Sequence, residues 1–177
     1  MLMRLFIAID FNGLKDYFLG LQQLLPKNAG LSLVKSFHLT LKFLGEVQPE
    51  DVDPIISSLK KIEFRPSSAF LGSLGMFPSE NYIRVVWIGV KPEENILALQ
   101  KKVDEALKPL FKKEMEFKAH ITLARVTNPK DKRLSAEELK KIKAESGKIE
   151  IKDFRLIKST LTPKGPVYDE LAVFNSQ

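Results

Sequence analysis

The chain has 177 residues, two histidines and no cysteine, and carries a formal net charge of +6. That length fits one domain, or one domain built of two halves, with a real core. Thiol nucleophiles, disulfides, thiolate zinc sites, cysteine-bound iron–sulfur clusters and three-histidine metal sites are all excluded. Whatever chemistry the protein runs must use two imidazoles, carboxylates, hydroxyls, lysine or arginine. The positive charge suits a phosphate-bearing partner such as nucleic acid, and equally a lysine-rich solvated surface.

Leu5 to Asp10 is a short apolar run of strand formers, bracketed by Arg4 and Asp10. It reads as a buried strand rather than the core of an export signal, so a cytoplasmic protein is expected. Asn12-Gly13 breaks it. Leu14, Phe18, Leu21, Leu24 and Leu25 then recur at helical spacing, and Pro26 with Asn28-Ala29-Gly30 ends that helix. A strand is expected from Phe37 to Leu44, closed by Gly45. Pro49-Glu50-Asp51 opens a second helix through Leu59. The stretch from Phe64 to Phe77, with Gly72 and Gly75, suggests a bent strand or hairpin.

Ile83 to Val90 is a second strongly apolar strand. Pro92-Glu93-Glu94 opens a long helix with Ile96, Leu99, Val103, Ala106 and Leu110 on one face. Ala119 to Val126 reads as a strand. Ser135 with Glu138 forms a capping-box pattern at the start of a short Lys/Glu helix that Gly147 ends. Ile149 to Leu161 and Val167 to Phe174 read as strands joined by a turn at 162–166. No run reaches the roughly 20 apolar residues of a membrane-spanning helix.

Two stretches resemble each other. Each is a strand opening on an arginine (Arg4, Arg84), then an amphipathic helix, then a strand carrying a histidine. Arg4 and Arg84 are 80 positions apart, and His38 and His120 are 82 apart. An internal duplication explains this spacing. Two β-α-β units related by a pseudo-twofold axis would give a bilobal molecule with a cleft between the lobes.

The contexts of the histidines match: Phe37-His38-Leu39-Thr40-Leu41 and Ala119-His120-Ile121-Thr122-Leu123. Strand side chains alternate between faces. His38 with Thr40, and His120 with Thr122, therefore share a face, and the apolar residues turn to the core. The same alternation puts Leu39, Leu41 and Phe43 together on the core face and Lys42 on the His38 face. It puts Arg125 on the face away from His120 unless the strand bends. No acidic residue lies beside either motif on its own face, which disfavours metal ligation. Two imidazoles with ordinary pKa near 6.5 suit a metal-free acid–base pair. One would take a proton from water while the other protonates a leaving oxygen. Threonine hydroxyls and a cation would stabilise charge on phosphate oxygens.

The paired His-x-Thr-x motifs resemble the signature of the 2H phosphoesterases, and most closely the RNA 2′,3′-cyclic phosphodiesterase group also called 2′-5′ RNA ligases. The likeness includes FHLTLKFLGEV at 37–47, GMFPS at 75–79, AHITLARV at 119–126 and STLTPKGPVYDEL at 159–171. The resemblance implies an α+β fold of duplicated β-α-β units, with largely antiparallel sheets flanking a central cleft and helices outside. It implies a single bilobal domain over 1–177 that hydrolyses RNA 2′,3′-cyclic phosphate ends to 2′-phosphates. His38 would be the proton donor and His120 the acceptor. Thr40, Thr122 and Arg125 would hold the phosphate, with Lys42 a further candidate. No metal or other cofactor is expected. ATP-independent 2′-5′ ligation is the related activity. RNA ends, including transfer RNA fragments, and cyclic nucleotides are the expected partners of a monomer, with Phe77 and Tyr168 as candidates to stack a base. The competing reading is a module that binds terminal phosphates of RNA without turnover.

Overall fold

A computed structural model describes residues 1–27, 29–128, 134–144 and 148–177. The elements in chain order are β1 (Met3–Asp10), α1 (Lys15–Gln23), β2 (Leu31–Leu33), β3 (His38–Val47), α2 (Val52–Leu59), β4 (Ser67–Ser79), β5 (Tyr82–Lys91), α3 (Glu93–Leu107), β6 (His120–Val126), α4 (Ala136–Lys141), β7 (Ile149–Ile151), β8 (Asp153–Thr162) and β9 (Gly165–Asn175). They build an α+β fold with two antiparallel sheets, ordered β3-β1-β8-β9 and β2-β6-β5-β4-β7.

The apolar faces of both sheets feed one core that includes Leu39, Leu41, Ile121 and Leu123. Residues 5–9 form an unbroken apolar run because β1 is central and covered on both faces. Leu5, Ile7 and Ile9 join the main core, while Phe6 and Ala8 cluster with Ile157 and Tyr168 on the other side. Each helix of the duplicated unit packs across the molecule: α1 against β6 and α3 against β3. The two histidine strands, β3 and β6, also touch each other.

Several sequence expectations need refinement. The strand at 149–161 is two strands. It breaks at Lys152 because β7 pairs with β4 in one sheet and β8 with β1 in the other. The first sheet is thus finished by β8 and β9 from the far end of the chain. Gly45 does not close β3. With φ +72 it sits in an irregularity opposite Leu5, and the strand continues to Val47. The long helix stops at Leu107, leaving Leu110 exposed. The Ser135 hydroxyl accepts from the Glu138 amide at 3.1 Å, as the capping pattern requires, but α4 ends at Lys141. Gly147 lies outside the described residues. The three-residue β2 has no periodic signal, being too short to carry one.

The duplication is real in the topology, with a register different from the arginine spacing. His38 faces Asp10 across the β3–β1 pair, and His120 faces Gly89 across the β6–β5 pair. Asp10 and Gly89, 79 positions apart, are therefore the equivalent residues. Arg4 and Arg84 are not equivalent: Arg84 is the extra residue of an irregularity between β5 and β4.

A candidate active site between two bulged strands

Alternation holds through the first half of each motif. His38 and Thr40 are half-buried while Leu39 and Leu41 are in the core, and His120 and Thr122 are half-buried while Ile121 and Leu123 are in the core. Each strand then breaks step at the same place. In β3, Thr40 pairs with Ala8 and Lys42 with Ile7, so Leu41 is an extra residue. In β6, Thr122 pairs with Trp87 and Ala124 with Val86, so Leu123 is extra. A bulge of one residue inverts the facing of everything after it.

The inversion corrects two assignments made by strict alternation. Lys42 does not lie on the His38 face. It points into the core at 3% exposure, where its ammonium donates to Asp104 Oδ1 at 2.5 Å and to the Lys112 carbonyl at 2.6 Å. Phe43 does not lie in the core. It pairs with Phe6 and is 65% exposed. In β6 the same inversion returns Arg125 to the face of His120 and Thr122. Its guanidinium acts electrostatically on both histidines and on Tyr168, so its charge reaches both motifs. His38, Thr40, His120, Thr122 and Arg125 are brought together, and Lys42 is not.

Each bulge is held by the helix that crosses to it. Gln22 of α1, itself buried, donates its amide to the carbonyls of Leu123 at 2.7 Å and Val34 at 2.9 Å. Asp104 of α3 receives Lys42, Gln100 Nε2 at 2.6 Å and the Glu114 amide at 3.2 Å. Lys42 and Asp104 thereby fix the loop from Lys108 to Lys118 that leads into His120. A buried charge pair persists only with this degree of hydrogen bonding.

The two imidazoles have different surroundings. His120 has its Nδ1 at 2.7 Å from the Lys118 carbonyl. A carbonyl only accepts, so Nδ1 carries hydrogen and Nε2 presents its lone pair. Opposite His120 stands Gly89, with no side chain. Opposite His38 stands Asp10, whose carboxylate is held by Asn12 Nδ2 at 2.5 Å and Arg155 at 3.3 Å. Arg155 also binds Asp153 at 3.0 Å and Glu170 at 2.8 Å. Sequence reading missed Asp10 because its neighbour relation to His38 runs across strands, not along one. Burial pushes His38 down to about 4, with Asp10 pulling up and Arg125 and His120 pushing further down. His120 is lowered too, chiefly by burial, against the upward pull of the Lys118 carbonyl.

Aromatic rings wall both imidazoles. Phe6 and Tyr168 lie 5.0 and 5.2 Å from the His38 ring, and Phe77 and Trp87 lie 4.9 and 5.9 Å from the His120 ring. Phe77 and Tyr168 are therefore ring neighbours of the histidines. Trp87 rests over Gly75, where a Cβ would come within 2.3 Å of the indole. Among the described residues, no three His, Cys, Asp or Glu side chains are grouped to hold a metal ion. A cavity of about 440 Å³ lined by Phe64, Arg65, Ser67 and Lys102 shares no residue with either histidine strand.

These features define a phosphoesterase built on two His-x-Thr strands. The chain belongs to the LigT like Phosphoesterase family, which it matches twice in succession, over residues 12–87 and 88–168. Each match contains one of the two motifs. An RNA 2′,3′-cyclic phosphodiesterase of Archaeoglobus fulgidus is 40% identical over 97% of this chain and 99% of its own length. Another protein of that name, from Methanocaldococcus jannaschii, is 39% identical over 94% and 97%. A crystal structure of a Thermus thermophilus protein superposes with a TM-score of 0.83 at 28% identity, covering 98% of this chain and 97% of the other. Escherichia coli LigT shares the fold, with a TM-score of 0.81 at 23% identity over 100% and 99%.

Two substitutions test this architecture. Lys42→Met strands the Asp104 carboxylate and costs about 3–5 kcal/mol in urea unfolding. The double variant K42M/D104N, which leaves no buried charge, is more stable than K42M alone; equal stability would refute the charge argument. Gly75→Ala drives the indole of the single tryptophan off its seat, costing about 1–3 kcal/mol and shifting intrinsic fluorescence. Unchanged emission and stability would mean that the Trp87–Gly75 contact is not a constraint.

Proposed function

We propose that the protein hydrolyses RNA 2′,3′-cyclic phosphate ends to 2′-phosphomonoesters through a metal-free pair of histidines, acting in the cytoplasm as one bilobal, monomeric catalytic unit. The observation that carries the reading is the asymmetry of the two imidazoles around Arg125. Burial holds His38 down to about 4, and Asp10 opposite it pulls back toward the protonated ring, a carboxylate that His120, facing Gly89, lacks. The Lys118 carbonyl holds the Nδ1 hydrogen of His120 and leaves its Nε2 as a base.

The step balances as follows. Water attacks phosphorus and gives its proton to His120 Nε2. The bond from phosphorus to the 3′-oxygen breaks, and His38 supplies the proton that makes the 3′-hydroxyl. Thr40 and Thr122 donate hydrogen bonds to the non-bridging oxygens, and the Arg125 guanidinium balances the charge that builds there. The substrate class follows the names of the archaeal relatives. The same displacement with a 5′-hydroxyl in place of water forms a 2′-5′ linkage without ATP. Cyclic mononucleotides are the smallest substrates that fit the chemistry, and transfer RNA fragments are among the longer ones.

Replacing His38 or His120 by alanine lowers turnover of an RNA 2′,3′-cyclic end by at least about 10²–10⁴-fold. Retained activity in both variants, or product recovered as 3′-phosphate, would overturn the proposal. Tight binding of RNA ends without turnover, surviving both substitutions, would favour the binding-module reading. EDTA leaves the rate unchanged; a loss restored by added metal would point to a metallohydrolase.

The active form carries one proton on the pair. Both imidazoles sit below their usual value in the free protein, so that proton is lost as pH rises, from below about 6.5. The alkaline limb of kcat/KM therefore starts below neutrality. Bound phosphate favours the imidazolium and moves the alkaline limb of kcat upward. A kcat/KM still rising at pH 8 would exclude this ionisation scheme.

A further inference from the structure

The duplicated bulge delivers a different side chain to the cleft from each strand. In β6 the third residue after Thr122 is Arg125, and in β3 the third residue after Thr40 is Phe43. The registers make them equivalent: Arg125 pairs with Val85 of β5, and Phe43 pairs with Phe6 of β1. One equivalent is a guanidinium placed for phosphate. The other is a phenyl ring, 65% exposed, on the catalytic face of its sheet.

Core packing does not account for that exposure. Phe6, the ring beneath it, is 3% exposed and already covered by His38 and Tyr168. Phe43 stands at the open end of a row of rings, two steps of 5.0 and 6.2 Å from the His38 imidazole by way of Phe6. A cation accompanies the row. Arg4 precedes Phe6 by two residues on β1, so it lies on the same face, and it is exposed. Its charge, like that of Arg125, lowers the Tyr168 phenol against the burial that raises it. Glu46 is the cross-strand neighbour of Arg4.

An exposed aromatic face beside a cation, continuous with a phosphate-handling cleft, is the chemistry that binds single-stranded nucleic acid. Every base has a π-face to stack, and the guanidinium meets the backbone phosphate. We infer that Phe43 is a specificity-determining residue that stacks the base of the penultimate nucleotide, with Arg4 facing the phosphate between the last two nucleosides. The last base is one ring's reach from its own cyclic phosphate, and the second ring step reaches the next base. The site therefore selects an RNA strand over a mononucleotide. This inference rests on the proposed function and adds to it a preference for polymer.

The test compares wild type, Phe43→Ala and Phe43→Tyr on two substrates. One is a 2′,3′-cyclic mononucleotide, and the other is a short unstructured oligoribonucleotide ending in 2′,3′-cyclic phosphate. KM for the oligonucleotide rises about 5- to 150-fold in Phe43→Ala, which is the loss of one stacked base, about 1–3 kcal/mol. That rise exceeds any change on the mononucleotide by the same factor, kcat moves little, and Phe43→Tyr restores KM. An unchanged oligonucleotide KM, or equal penalties on both substrates, overturns the inference. If wild type turns over neither substrate, the proposed function fails. Titration with an oligoribonucleotide ending in 2′-phosphate then still decides Phe43: equal affinity of wild type and Phe43→Ala rejects the stacking role.

Discussion

The arrangement of the candidate site depends on one extra residue in each histidine strand. A strand has period two, so residues five apart point to opposite faces. His120 and Arg125 are five apart, as are His38 and Phe43. Without Leu123 and Leu41 as bulged residues, Arg125 would turn away from His120 and Thr122, and Phe43 would turn into the core. The bulges are built rather than incidental. A buried glutamine from α1 bonds the Leu123 carbonyl, and a buried lysine–aspartate pair from β3 and α3 anchors the other. In both lobes the helix that stabilises the bulge comes from the opposite half of the duplication. The spacing of the two histidine strands is therefore set by the same contacts that set their facing.

A duplicated site with perfect symmetry could not tell an acid from a base. Two departures from symmetry lie beside the imidazoles. Asp10 answers Gly89, and Phe43 answers Arg125. A carboxylate on one side favours the charged imidazole, while a carbonyl on the other fixes a tautomer of the neutral one. Low dielectric in the aromatic walls lowers both pKa values.

Much of this was legible in the sequence, for identifiable reasons. The apolar runs of β1 and β5 and the periodic faces of α1 and α3 are long enough to declare themselves. The paired His-x-Thr motifs single out one candidate site because the chain has only two histidines. The two side chains given the wrong face share one source. Lys42 and Phe43 were assigned faces by alternation, and a bulge leaves no mark on hydrophobic pattern when a leucine is the extra residue. Lys42 also reads as a surface cation until Asp104, 62 residues away, supplies its partner. Asp10 escaped notice for a related reason: cross-strand register belongs to tertiary structure. The break at Lys152 was hidden because β7 and β8 run on in sequence while serving different sheets.

That division of β7 and β8 between sheets bears on how the chain is made. β1 is synthesised first, yet its second neighbour, β8, begins only at Asp153. Until then the segment from Leu5 to Ala8 has partners along one edge only, and an unpaired edge of Leu, Phe, Ile and Ala is a template for pairing with another chain. The sheet edge of β1 is therefore sealed only once the chain extends through β8. Loss of β8 would leave the Leu5–Ala8 edge of β1 open to pairing with another chain.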